Sequence, residues 1–323
     1  MSQSPPSARP RIAVALFGPP GQGSFNEAGL LGAERARTAG HDVTPFWIEP
    51  SDEASRTAGL EQLCARGFDL VIAHGGQGDV PVASVLQRFA HQRFAITQGS
   101  LEHPQVARYE VLQGQSAFLA GVLAALLSRT GVVAHFSGER VRPGLKGRAA
   151  FAHGLQAGLP GTRLLTQFCG HQHRPALAAR CAHAMADGGA DVLFAMIDGG
   201  RTGVTAACRA RGVAQIGNVL DWVERDPEVF VASAIADSGE AIVRAAEDAA
   251  RGRLALGGLR RFGLEEPALV RLALRADVPA PVRACLEGWR QRLLDGHVRP
   301  RDDYGGDEWP APADALDEEP AAA

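Results

Sequence analysis

Short apolar runs alternate along this chain with stretches in which apolar residues recur every three or four positions. RIAVALFG (11–18) reads as a strand, and the segment from Asn26 to Ala39 as a helix stopped by Gly40. VTPFWIE is the next strand and SDEASRTAGLEQLCARG the next helix. Ser51 there is only a partial N-cap, because Ala54 stands where a capping box needs Glu or Gln. FDLVIAHGG (68–76), helix VPVASVLQRFAH and RFAITQG (93–99) follow. The second half repeats the rhythm. GVVAHFSG, TRLLTQFCG, ADVLFAMIDGG, VAQIGNV and VFVASAIA read as strands, and a long helix begins at Ser238. Unbroken apolar strands separated by amphipathic helices predict parallel sheets covered on both faces. Two such units, joined near the helix at 117–129, predict two similar lobes. The expected division is 11–127 with about 235–258, and 128–234 with about 259–300. Residues 1–10 and the tail 301–323 are expected to be disordered.

Composition narrows the function. With 323 residues, 46% of them hydrophobic and 21% charged, the chain can bury a sizeable core. A net charge of -3 gives no general attraction to nucleic acid or anionic lipid. Charge is unevenly spread: residues 301–323 hold eight acids and one base. That segment is rich in Pro and Ala, and Trp309 is its one candidate docking anchor. Five scattered cysteines without a CxxC suit a reducing compartment. The most apolar run, 117–127, is about half the ~20 residues a membrane span needs. The polar start MSQSPPSARPR carries no signal-peptide pattern, so a cytoplasmic location is expected.

Ligands of parallel α/β sheets bind beyond the carboxyl ends of the strands. Those ends are GPPGQGSFN, HGGQGD, TQGS, FCGHQH, IDGGRTG and GNVLDW, all glycine-rich or polar. GPPGQGS lacks the lysine of a phosphate-binding loop and reads as a turn entering a helix. Cys169, His171 and His173 would share one face of an extended segment, the geometry of a metal site. A polar ligand-facing or solvated loop is the preferred reading. Asp198 suits either a catalytic acid or a helix cap. The backbone N–H groups of GGQGD and IDGGRTG can hold a polar or anionic group. No GxSxG elbow supports a nucleophilic serine.

These residues resemble a family. GSFNEAGLLGAERA (23–36), ARGFDLVIAHGG (65–76), RFAITQGS (93–100), QGQSAFLAGVLAALLSRTGVVAHFSG (113–138) and GADVLFAMIDGGRTGV (189–204) are similar, in order, to segments of the basic membrane protein (Bmp) family. Members are the nucleoside-binding-type substrate-binding proteins of ABC transporters. The resemblance implies the type I periplasmic-binding-protein fold: two Rossmann-like α/β lobes with parallel sheets, a hinge and a ligand cleft. It also implies a transporter or regulatory protein partner.

The departures bear on the ligand. Relative to the family's pattern, aspartates fall on Gln22, Gln98 and Val219, aromatics on Leu30 and Gln172, and a lysine on Ala236, whereas Asn26 and Asp221 are kept. Each carboxylate grip on a ribose hydroxyl is worth about 1.5–3 kcal/mol. Stacking on an aromatic adds about 1–3 kcal/mol. Losing two grips and one stack removes roughly three to six decades of affinity. Trp222 can replace one stacking face. The residues expected to line the cleft are Gln22, Ser24, Phe25, Asn26, Gly75, Gln77, Gln98, His171, Gln172, Asp198, Gly199, Asp221 and Trp222. The ligand expected is a small polar molecule other than a typical purine nucleoside. No catalytic residue, metal or cofactor is assigned, and neither nucleic acid nor a membrane span is expected. Three alternatives stay open: a cytosolic ligand-sensing regulator of the same fold, an enzyme using Asp198, His171, His173 or Cys169, and a scaffold whose cleft is vestigial.

Overall fold

The computed structural model describes residues 9–21, 24–49 and 52–310. In chain order the strands and helices begin β1 (Arg11–Phe17), α1 (Ser24–Thr38), β2 (Asp42–Ile48), α2 (Glu53–Ala65) and β3 (Leu70–His74). They continue α3 (Asp79–Leu86), β4 (Phe94–Thr97), β5 (Val106–Val111), α4 (Gln113–Leu127), β6 (Val132–Ser137) and α5 (Arg142–Gly158). Next are β7 (Arg163–Phe168), α6 (Pro175–Asp187), β8 (Val192–Met196), α7 (Arg201–Arg211) and β9 (Ala214–Val219). The last are α8 (Trp222–Arg225), β10 (Phe230–Ala236), α9 (Ser238–Ala250), β11 (Leu259–Phe262), β12 (Val270–Leu274) and α10 (Ala280–Leu294).

The chain forms two compact units. The first ends its opening segment at Gly21 and adds Phe25–Val111 and Ser238–Arg261. The second is built from Leu112–Asp237 and the segment from Phe262 onward. Each holds one six-stranded sheet, ordered β11-β5-β4-β3-β1-β2 in the first and β12-β10-β9-β8-β6-β7 in the second. Apart from the added β11 and β12, both sheets have the same winding. The order reverses between β1 and β3 in one and between β6 and β8 in the other, the crevice where such sheets bind ligands. In the second sheet, β12 is antiparallel to β10. Strands β3, β4, β8 and β10 are buried along their whole length, as expected of sheets covered on both faces.

Five elements escape the sequence pattern: β5, α8, β11, β12 and α10. In β5 the apolar run is broken by Arg108 and Glu110. Glu110 tolerates burial because Arg261 of β11 donates to it through Nε at 3.0 Å. The cap of α2 is Asp52, whose carboxylate accepts from Ser55 N at 2.8 Å. Ser51, the expected cap, lies outside the described residues.

Two expectations are corrected. Helix α4, expected in the first lobe, belongs to the second unit, where it packs against α5, β10, β12 and α10. A Cβ at Gly121 would fall on the Phe151 carbonyl, and one at Gly154 on the Phe118 carbonyl, so α4 and α5 touch backbone to backbone. The tail does not come loose at 301. Residues 301–310 lie against the second unit, with Trp309 packed on its core and Trp309 N donating to Thr166 O at 2.9 Å. Residues 311–323, and 1–8 of the expected disordered start, lie outside the described residues.

His135 is fully buried, with Nδ1 3.0 Å from Thr166 Oγ1 and rings of Phe151, Phe168 and Phe194 around it. Burial, with the nearby Arg148 charge, pushes its pKa down to about 3. Unfolded, the same ring titrates near 6.5, so between those values the unfolded chain holds a proton that the native chain refuses. Stability is therefore lost as pH falls from about 6.5 toward 3, by up to about 1.4 kcal/mol per pH unit. Urea titrations at pH 7 and pH 5 should show a larger loss in the wild type than in His135→Gln. A second expectation concerns the helix contact: Gly121→Ala should lower unfolding free energy by about 1–3 kcal/mol through overpacking, read from the urea midpoint.

Candidate functional site

In the first unit the carboxyl ends of β1, β3 and β4 carry the candidates. Asn26 is buried and donates through Nδ2 to Phe17 O at 2.7 Å, tying the start of α1 to the end of β1. His74, which the sequence reading passed over, organises this edge. It is fully buried, and its Nε2 lies 3.0 Å from Phe25 O and its Nδ1 2.9 Å from Thr97 Oγ1. The pattern fits Nε2–H donating to the Phe25 carbonyl and the Thr97 hydroxyl donating to Nδ1. The Thr97 oxygen in turn accepts from Gly75 N at 3.1 Å. Phe25 stacks its ring on His74 at 4.3 Å, and the His74 ring occupies space that a side chain at Gly29 would fill. Gly75 is buried at φ 109°, and Gln77 beside it is half-buried.

Gln98 follows β4 with φ 57°, a conformation rare for a residue with a side chain. Its amide is committed to the backbone: Oε1 accepts from Val111 N at 2.6 Å, and Nε2 donates to Val111 O at 3.1 Å. Gln22 lies outside the described residues, and Ser24 is placed only as the first residue of α1.

In the second unit the loop after β7 lies on the turn after β8. Gln172 Oε1 accepts from Asp198 N at 3.3 Å, and Gln172 O accepts from Gly200 N at 2.8 Å. His173 Nδ1 accepts from Gly199 N at 3.4 Å. These N–H groups, expected to face a ligand, are therefore used by the neighbouring loop. His171 is exposed, and Gln172 and Asp198 are half-buried.

Arg201, also passed over by the sequence reading, is 3% exposed. It donates to Ala195 O at 3.3 Å, to Ile197 O at 2.5 Å and to Asn218 Oδ1 at 2.5 Å. Its guanidinium lies 4.5 Å from the centre of the Trp222 ring. The signal was in IDGGRTG: an arginine at the first helical position behind a buried strand has carbonyls within reach. Trp222 is not a free stacking face. It rests on the backbone of Gly217, stacks on Phe230 at 5.6 Å and donates through Nε1 to Asn218 O at 3.0 Å. Asp221 caps α8, accepting from Val223 N and Glu224 N, and pairs with Arg271 at 3.5 Å.

Val219 ends β9 with φ 67°. A β-branched residue there is a genuine outlier, since its side chain crowds the backbone. Gln98 and Val219 are the two residues other than glycine with positive φ among those described. They occupy matching places, each at the end of the fourth strand of its sheet. Strain of this kind collects at functional sites.

The four buried thiols are not activated as nucleophiles. Cys169 is buried and donates to His171 O at 3.2 Å, and burial raises its pKa. Burial pushes Cys64, Cys181 and Cys208 up to about 12. Among the described residues no group of three or more His, Cys, Asp or Glu is placed to hold a metal ion.

Two sheets of matching winding, each with its polar residues gathered at the strand carboxyl ends, define a periplasmic-binding-protein type of α/β chain. The model of the PnrA-like ABC-transporter substrate-binding proteins matches residues 10–280, so the chain belongs to this family, Bmp. A purine-binding protein of Brucella abortus (strain 2308) is 20% identical over 292 residues, covering 90% of this chain and 82% of that one. The solute-binding protein of an Aeropyrum pernix K1 ABC transporter superposes with a TM-score of 0.79 at 21% identity, covering 90% and 93% of the two chains. One from Conexibacter woesei gives 0.71 at 24%, covering 91% and 99%. A transcriptional activator of the comK gene from Bacillus halodurans gives 0.74 at 17%, covering 90% and 100%. The family and the type I periplasmic-binding-protein fold are those the resemblance implied.

Of the five cysteines only Cys285 is exposed. Thiol titration of the native protein should therefore label one cysteine per chain rapidly, and the rest only on unfolding. Fast reaction at Cys169 would restore the case for a nucleophile.

Proposed function

We propose that this substrate-binding protein takes a small polar ligand other than a purine nucleoside. One observation carries the reading: the residues at the two strained strand ends. Gln98 and Val219 stand where the resemblance places aspartates, and both have a left-handed backbone that aspartate tolerates far better than valine does. Both strand ends have this backbone, and neither carries a carboxylate. One replacement is an amide already bonded to Val111, and the other is apolar. Neither can grip a ribose hydroxyl as a carboxylate does. Loss of two such charge-assisted bonds is worth roughly two to four decades in affinity. Asp221, which the resemblance finds kept, and Trp222, the stacking candidate, are engaged in capping and packing. The name of the Brucella abortus relative points the other way, but at 20% identity the residues at these ends carry more weight.

The test is calorimetry with adenosine, inosine and guanosine, beside a thermal-shift panel of amide-, hydroxyl- and carboxylate-bearing metabolites. At about 1 mM the nucleosides should give no heat of binding, while at least one polar metabolite raises the melting temperature. The double variant Gln98→Asp, Val219→Asp should gain affinity for a ribonucleoside by tenfold or more. Tight binding of a purine nucleoside by the wild type would overturn the proposal.

A further inference from the structure

The acidic C-terminal segment makes contacts that the binding function does not use. Its residues alternate between solvent and protein. Tyr304, Glu308 and Trp309 are half-buried, whereas their neighbours Gly305, Gly306, Asp307 and Pro310 are exposed. Each inward residue meets a prepared partner on the second unit. Arg148 is only 7% exposed. Its guanidinium lies between two rings, 4.8 Å from the centre of Phe168 and 4.8 Å from that of Tyr304. Its charge is met by Glu308 Oε1 at 2.6 Å, and Arg140 binds the other oxygen of the same carboxylate. Trp309 sits on the core beside Gly188, where a Cβ would come within 3.2 Å of its ring.

The place of this contact matters. β7 is the last strand of its sheet, paired with β6 on one side only. Its other side would present unpaired backbone groups, a template for pairing with another chain. Trp309 N donates to Thr166 O of β7 at 2.9 Å, on that open side. Arg163 N, by contrast, bonds inward to Gly131 O, as the alternation of a strand requires. The charges of the segment add a second barrier, because two acidic straps brought together would repel.

We infer that residues 302–310 are an edge guard: they seal β7 and keep the chain from pairing through that edge with a second copy of itself. A buried arginine without its counter-charge is unfavourable, so Glu308 is the electrostatic pin and Trp309 the apolar one. Burial alone would raise the Glu308 carboxyl, but the hydrogen bonds from Arg140 and Arg148 outweigh it and hold the group below its ordinary value. It is thus ionised, and the pin in place, at neutral pH.

The experiment uses the full chain with two separate substitutions, Trp309→Ala and Glu308→Arg. Hydrogen exchange of a peptide spanning Trp309 reports whether the segment is seated. Sedimentation equilibrium over a wide concentration range reports association. In the wild type the Trp309 amide should be protected and the mass independent of concentration. In either variant exchange at Trp309 should rise by tenfold or more, and the mass should grow with concentration. A synthetic peptide of residues 302–310, added in trans, should suppress that growth. The inference is overturned if the wild-type segment exchanges at the unprotected rate. It is equally overturned if the variants free the segment and their mass still does not depend on concentration. Should one variant fail to fold, the other carries both readouts.

Discussion

A parallel sheet covered on both faces leaves few places for polar chemistry, and that constraint organises both units. β3, β4, β8 and β10 are buried from end to end. A polar side chain within them must find a partner inside or not be there. Those in β3 and β10 obey this: His74 meets Thr97 and Phe25 O, and Ser233 Oγ accepts from Trp222 N. Chemistry that faces a ligand is pushed to the strand carboxyl ends, where turns expose backbone and side chain together. Covering the sheet also demands close helices, and the backbone contact of α4 with α5 at Gly121 and Gly154 is one consequence.

At those ends most of the polar groups hold the framework rather than wait for a ligand. Gln172 and His173 occupy the N–H groups of the IDGG turn. Arg201 gathers two strand-end carbonyls and Asn218 under the Trp222 ring. Such networks fix loop positions, because moving one member leaves a buried donor unpaired. The left-handed backbone at Gln98 and Val219 is part of the same rigidity. Two units with unlike sequences keep the same unfavourable conformation at the same strand end. Valine gains nothing from it locally, so the surrounding structure must impose it.

The legible part of this chain was the alternation of strand and helix, because unbroken apolar runs and glycine stops are local signals. β5 was hidden because its charges are satisfied by a partner far along the chain, Arg261 for Glu110. The candidate positions at the strand ends were legible as positions but not as roles. Trp222 read as a stacking face, yet a glycine at 217 lets the ring settle on the sheet. His74 and Arg201 escaped notice because a lone histidine or arginine in an apolar run carries no pattern. Their partners are carbonyls, and a carbonyl has no letter in the sequence.

The tail shows the same limit from the other direction. Its Pro, Ala and acidic content argues for a solvated segment, and composition weighs each residue equally. Three side chains decide otherwise, because each finds a site already built. Arg148, buried between aromatic rings, makes an acid at 308 favourable, and the open side of β7 offers Thr166 O to a passing N–H. The order of this segment is therefore a property of the surface it meets. That surface exists because the sheet ends there. A sheet sealed on both faces still has two edges, and here one of them is closed by the chain's own acidic end.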